Sequence, residues 1–210
     1  VVLPYSSGTT GLPKGVMLTH RNLVANMVQV LASGVNLQRD ERVIGVLPFY
    51  HIYGMLVILN LCLYKGMTIV TMARFDLEQF LKILQDYQIA RANLVPPIIL
   101  ALAKHPIVDQ YDLSHLRIIM SGAAPLSADL AQACAQRIGC TVLQGYGLTE
   151  TSPVTHVNPE DPARIQLGSA GVTIANTECI IVSLETGNPL GVREEGERRL
   201  GRRVTGLVGR

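Results

Sequence analysis

The chain has 210 residues, 48% of them hydrophobic, and a formal net charge of +2. That length and apolar share suffice for a buried core and exclude a disordered chain. The charge is uneven: residues 1–192 carry 12 basic and 13 acidic side chains, the last 18 carry six and three, so the body gives no support to nucleic-acid binding.

In chain order, Val1–Leu3 reads as a short strand and Val16–Leu18 as a second. Between them, Tyr5-Ser6-Ser7-Gly8-Thr9-Thr10-Gly11-Leu12-Pro13-Lys14-Gly15 gathers four serine and threonine hydroxyls, three glycines and one lysine. Such a loop suits a polyphosphate: glycines let backbone N–H groups approach, hydroxyls donate, and Lys14 brings a positive charge. It is not a Walker loop, which needs Gly-Lys-Ser/Thr opening a helix.

Thr19 predicts the N-cap of a helix over residues 20–33, stopped at Gly34. Arg42–Leu47 reads as a strand and Tyr53–Tyr64 as a buried helix; its apolar run is shorter than the ~18–20 residues a membrane span needs. Met67–Met72 reads as a strand, Asp76 as the cap of a helix, and Ala92–Val95 as a strand ended by Pro96-Pro97. A short helix over Ile98–Lys104, a strand over Leu116–Met120, a helix from Ser127 to Arg137 and a strand over Thr141–Gln144 follow. The alternation predicts an α/β domain with mostly parallel sheet flanked by helices, its ligands gathering at the carboxyl ends of the strands. Residues 179–184 read as a strand of a separate, antiparallel part, and residues 185–191 as a turn. From Arg193 onward neither helical nor strand periodicity is visible, which predicts an aberrant or truncated basic tail over 193–210.

Cys62, Cys134, Cys140 and Cys179 have no metal-ligand or paired spacing, which predicts buried thiols in a reducing, cytoplasmic setting. An opening on Val1, with neither initiator methionine nor signal peptide, predicts a fragment.

The loop SSGTTGLPKGV resembles the phosphate-loop signature of adenylate-forming enzymes. Three further segments resemble this superfamily's elements in the same order. They are Leu47-Pro48-Phe49-Tyr50-His51-Ile52-Tyr53-Gly54, Ser121-Gly122-Ala123-Ala124-Pro125-Leu126 and Gln144-Gly145-Tyr146-Gly147-Leu148-Thr149-Glu150. The pattern is most similar to 4-coumarate–CoA ligases and their acyl-CoA synthetase and luciferase relatives, and covers residues 1–192 as the central part of the adenylation domain.

The resemblance implies that a carboxylic acid attacks the α-phosphate of ATP, releasing pyrophosphate and forming an acyl-adenylate, and that coenzyme A then displaces AMP. Positioning and electrostatics carry such chemistry. By the same resemblance, Ser6, Ser7, Gly8, Thr9, Thr10, Gly11 and Lys14 wrap the phosphates, Thr149 touches the α-phosphate and Glu150 holds Mg²⁺. Tyr146 stacks on adenine, while Gly122, Ala123, Ala124, Gln144, Gly145 and Gly147 line the nucleotide. His51 lies near the reacting carboxylate, where an imidazole titrating near ~6.5 can orient or neutralise the acid. Tyr53 borders the acyl pocket, and Arg74 stands where coumarate ligases carry a CoA-contacting lysine. The other histidines, His20, His105, His115 and His156, are expected at the surface or in caps. The expected partners are a small carboxylic acid and CoA, with no nucleic acid and no membrane span. The superfamily's mobile C-terminal domain has no counterpart among these residues, so the expected state is a ligase fragment inactive alone; the alternative is a non-catalytic nucleotide-binding fragment.

Overall fold

The computed structural model describes residues 1–6, 12–191 and 194–202, the last two by backbone alone. Seven strands form the central sheet in the order β4-β3-β5-β6-β7-β8-β9. Its first five members are β4 (Thr68–Thr71), β3 (Arg42–Gly45), β5 (Arg91–Leu94), β6 (Ile118–Ser121) and β7 (Thr141–Gly147), and they run parallel. β8 (Val154–Val157) and β9 (Val172–Thr173) add on antiparallel. The α/β architecture with mostly parallel sheet is the one the sequence predicts.

Alternation within the parallel strands divides the core between the two faces. Ile44, Ala92, Leu94, Ile119 and Val142 point to one side, where α3 (Leu77–Asp86), α4 (Pro96–Lys104) and α5 (Ala128–Ile138) bring Phe80, Leu84, Ile99, Leu102 and Cys134. Val43, Met120 and Leu143 point to the other. There they meet Leu23 and Val30 of α1 (His20–Leu31) and Leu56, Ile58 and Leu61 of the segment after His51. A parallel sheet buried on both faces requires such continuous apolar strands.

The caps act as the sequence indicates. Thr19 Oγ1 accepts from the Asn22 N–H at 3.1 Å while Asn22 Oδ1 accepts from the Thr19 N–H at 3.0 Å, a reciprocal cap on α1. Asp76 Oδ1 accepts from the Gln79 N–H at 2.9 Å at the start of α3, and Ser127 Oγ from the Leu130 N–H at 3.3 Å at the start of α5.

Several details depart from the pattern reading. The first strands are shorter and shifted: β1 (Tyr5–Ser6) pairs antiparallel with β2 (Lys14–Gly15), and Val2 and Leu18 form only a bridge. Pro96-Pro97 opens α4 rather than only ending β5, because proline at the first helical positions loses no intrahelical bond. The helix expected over Tyr53–Tyr64 is π-helical at Tyr53–Asn60 and becomes α only at α2 (Leu61–Lys65), a widening common beside functional sites. β7 continues through Gly145-Tyr146-Gly147, beyond the strand end expected at Gln144, because β8 pairs with it there.

The largest departure lies in the tail. Glu197–Arg202 forms β11, paired antiparallel along its length with β10 (Thr177–Val182). A two-stranded ribbon is held by backbone hydrogen bonds and needs no apolar alternation, so an arginine-rich segment can form one.

Candidate active site

The carboxyl ends of β6 and β7 converge on a cavity of about 340 Å³. Of the predicted site residues, Ser6, His51, Tyr53, Gly122, Ala123, Gly145, Tyr146, Gly147, Thr149 and Glu150 line it together. Lys14 is exposed on β2, in register with Ser6 across the hairpin. Ser7, Gly8, Thr9, Thr10 and Gly11 lie outside the described residues. Ala124, Gln144 and Arg74 are not among the lining residues.

Each lining side chain is held by a distinct local device. The His51 backbone N–H bonds Pro48 O at 3.1 Å, and His51 Nδ1 accepts from the Tyr53 N–H at 3.2 Å. An accepting Nδ1 leaves Nε2 to carry the proton of the neutral ring. Two residues on, the Tyr53 hydroxyl donates to Met120 O at 3.0 Å, tying the π-helical segment to β6. Burial pushes the Tyr53 phenol well above its usual range, so it stays a neutral donor.

Gly122 owes its identity to Tyr53. A Cβ at Gly122 would stand 2.8 Å from Tyr53 Cε1, closer than real contacts allow. The next residue, Ala123, holds a left-handed backbone with φ +68°, a strained conformation for a residue with a side chain. Ser121 Oγ, at the head of this turn, is buried with no hydrogen-bond partner among the described residues.

Gln144 acts behind the wall. Its Oε1 accepts from the Leu126 N–H at 3.2 Å, bracing the Ser121–Leu126 loop against β7. Thr149 and Glu150 stand on a single 3-10 turn, where the Leu148 N–H donates to Thr151 Oγ1 at 3.0 Å. Arg74 is exposed beyond the edge strand β4.

Three features escaped the pattern reading. His156, expected at the surface or in a cap, is instead buried on β8, its ring edge-on to Tyr146 with centroids 6.0 Å apart. Burial, helped by the charge of Arg198, lowers its pKa to about 4. Arg198 of β11 stacks over the Tyr146 ring at 4.7 Å. Asn26, fully buried on α1, pairs with the Val154 backbone through both amide atoms, at 2.8 Å and 3.0 Å. No spacing rule flags these, because each depends on a strand the sequence did not announce.

The AMP-binding enzyme family profile matches residues 1–201. The chain belongs to the AMP-binding enzyme family. Among relatives of this family, the 4-coumarate–CoA ligase of Pinus taeda is 44% identical over 204 residues, covering 94% of this chain and 38% of that enzyme. Among solved structures, ATP-bound MatB from Rhodopseudomonas palustris superposes with a TM-score of 0.85 at 29% identity, covering 95% of this chain and 39% of that one. A long-chain-fatty-acid–CoA ligase from Archaeoglobus fulgidus gives 0.84 at 31%, covering 95% and 41%. The chain thus spans well under half the length of these AMP-binding relatives. Among the described residues no helix is long and apolar enough to cross a membrane, and no group of three or more potential metal ligands occurs.

Proposed function

We propose that the chain carries the nucleotide- and acid-binding part of an ATP-dependent carboxylic acid–CoA ligase. The overall reaction would join acid and ATP as acyl-AMP with release of pyrophosphate, then transfer the acyl group to CoA. The observation that carries this reading is the single cavity lined by Ser6 of the phosphate-loop hairpin, Tyr146, the Thr149-Glu150 turn, and His51 with Tyr53. It offers polar and carboxylate groups at one end and an apolar hollow at the other.

In this reading Lys14 and the loop beside it hold the β- and γ-phosphates, and Thr149 donates to the α-phosphate. Tyr146 supplies the flat face for adenine, with Gly122, Ala123, Gly145 and Gly147 letting the base approach. Ala124 follows in the same turn, and Gln144 keeps that turn in place. His51, whose Nδ1 is occupied by the Tyr53 N–H, offers Nε2–H to the substrate carboxylate and fixes its direction of attack. Tyr53 walls the acyl end.

Glu150 fits Mg²⁺, which commonly takes one or two protein carboxylates and fills its remaining positions with phosphate and water. When bound, the ion would offset phosphate charge. Arg74, exposed beyond β4, is the proposed CoA contact.

The test is thermal unfolding of the chain with and without Mg·ATP, beside Lys14→Ala. Ligand at about 100 times its Kd should stabilise the chain by roughly 2.7 kcal/mol, and Lys14→Ala should shrink the shift while leaving the ligand-free midpoint in place. No shift in the wild type would sink the reading. A shift without acyl-CoA formation would favour the second reading, a nucleotide-binding fragment, which the 38% coverage of the Pinus relative makes worth testing.

A further inference from the structure

The Tyr146 ring is held by two residues that stand outside the cavity. β11 lays Arg198 over its face, with the guanidinium carbon 4.7 Å from the ring centroid. On β8, His156 pairs with Tyr146 in register and meets the ring edge-on, the two planes at 69°. Tyr146 lines the cavity, whereas Arg198 and His156 do not. The ring therefore carries a cation on one surface and presents to the cavity a surface that the cation leaves uncovered.

The strand by itself cannot fix this ring. Gly145 and Gly147 flank Tyr146 and bring no side chain to confine it, and the pairing with β8 shifts register between Tyr146 and Gly147. A tyrosine so placed keeps rotamer freedom that a ligand stacking on it would have to remove. Arg198 and His156 remove that freedom before any ligand arrives.

The charge of Arg198 is not engaged elsewhere. Its neighbour Arg199 pairs with Glu197 at 3.4 Å, while Arg198 makes no ion pair among the described residues. A planar, weakly hydrated guanidinium suits an aromatic face, where the ring quadrupole attracts it. His156 adds no second charge at neutral pH, since burial and then Arg198 itself lower its pKa to about 4.

The position of the guanidinium is set from far along the chain. Arg198 lies in register with Ile181 of β10, so the β10–β11 ribbon decides where the cation stands against β7. A strand that is otherwise a separate two-stranded piece thus reaches the candidate nucleotide site through one side chain.

We propose that Arg198 is a positioning residue for the nucleotide: its cation stacks on Tyr146 from outside the cavity and presets the ring to receive the base. This rests on the reading of Tyr146 as the face for adenine. Arg198 touches the ring and not the phosphates, so its effect is confined to the part of the affinity that the base supplies.

The experiment is calorimetric titration of the 210-residue chain with Mg·ATP and with Mg·tripolyphosphate, which has the phosphates without the base. The variants are Arg198→Met, which keeps an apolar stem and loses the charge, Arg198→Lys, which keeps the charge, and Tyr146→Leu. Arg198 is exposed, so its replacement leaves the core intact. Arg198→Met should weaken Mg·ATP by about two- to fivefold, the ratio an exposed cation–π contact supports. Its affinity for Mg·tripolyphosphate should match the wild type, and Arg198→Lys should recover part of the loss.

An unchanged Mg·ATP affinity in Arg198→Met, beside a loss in Tyr146→Leu, overturns the inference and leaves the adenine reading standing. Equal weakening of both ligands overturns it too, because Arg198 would then act as a general positive charge. Equal losses in Arg198→Lys and Arg198→Met also overturn it, since the cation would play no part. If Tyr146→Leu binds Mg·ATP as tightly as the wild type, the adenine reading falls and the inference with it. Arg198→Gln is the second uncharged variant should the methionine variant not fold.

Discussion

The guanidinium of Arg198 stacks 4.7 Å from the centroid of the Tyr146 ring, while His156 meets the same ring edge-on. An exposed cation–π contact is worth about 0.5–1 kcal/mol. Its further effect is on His156, whose pKa is lowered first by burial and then by the Arg198 charge. Arg198→Gln removes the second cause and keeps the first. The His156 titration, followed by proton NMR, should move up modestly from about 4 yet remain below the free imidazole value. An unmoved midpoint would mean that Arg198 does not act on this pair.

His156 also makes a prediction for the whole fold. Its pKa is depressed from the ordinary 6.5 to about 4, so between these values the unfolded chain binds the extra proton. Stability from this group is complete above about 6.5 and is lost as pH falls from there toward about 4. The full shift sets an upper bound of about 3 kcal/mol. Urea unfolding at neutral and mildly acid pH should show a steeper loss in wild type than in His156→Phe, which has no proton to gain. Parallel losses in the two proteins would refute a buried neutral His156.

The parallel sheet and its helices were legible because apolar strands, caps at Thr19, Asp76 and Ser127, and the motif turns all gave local signals. Ser6, His51 and Tyr146, which line one cavity, could be picked out for the same reason, since each lies in a short pattern with a chemical rationale. β8, β9 and β11 were not. His156 sits in a strand whose faces are both covered, so alternation carries little information, and β11 is held by main-chain bonds to β10 rather than by an apolar face.

Asn26 ties α1 to β8 beside the site. Both of its amide atoms bond the Val154 backbone, at 2.8 Å and 3.0 Å, and the residue is fully buried. Asn26→Leu keeps the volume but strands a backbone donor and acceptor in the interior. The cost should be about 2–4 kcal/mol, read as a fall in the urea midpoint at constant slope. A cost below about 0.5 kcal/mol, the range of ordinary surface changes, would mean the staple is not formed.

Gly122 tests the coupling between the Ser121–Leu126 turn and the Tyr53 ring. In Gly122→Ala the new methyl would meet Tyr53 Cε1 at 2.8 Å and Cζ at 2.9 Å. The ring cannot retreat while its hydroxyl is bonded to Met120 O at 3.0 Å. Overpacking of this kind costs about 1–3 kcal/mol, and the displaced phenol should ionise at lower pH in an ultraviolet titration. Tyr53→Leu in the same background removes the collision, so the double variant should regain part of the stability lost by Gly122→Ala alone. Strict additivity of the two changes would place the cause of the glycine elsewhere than in the tyrosine ring.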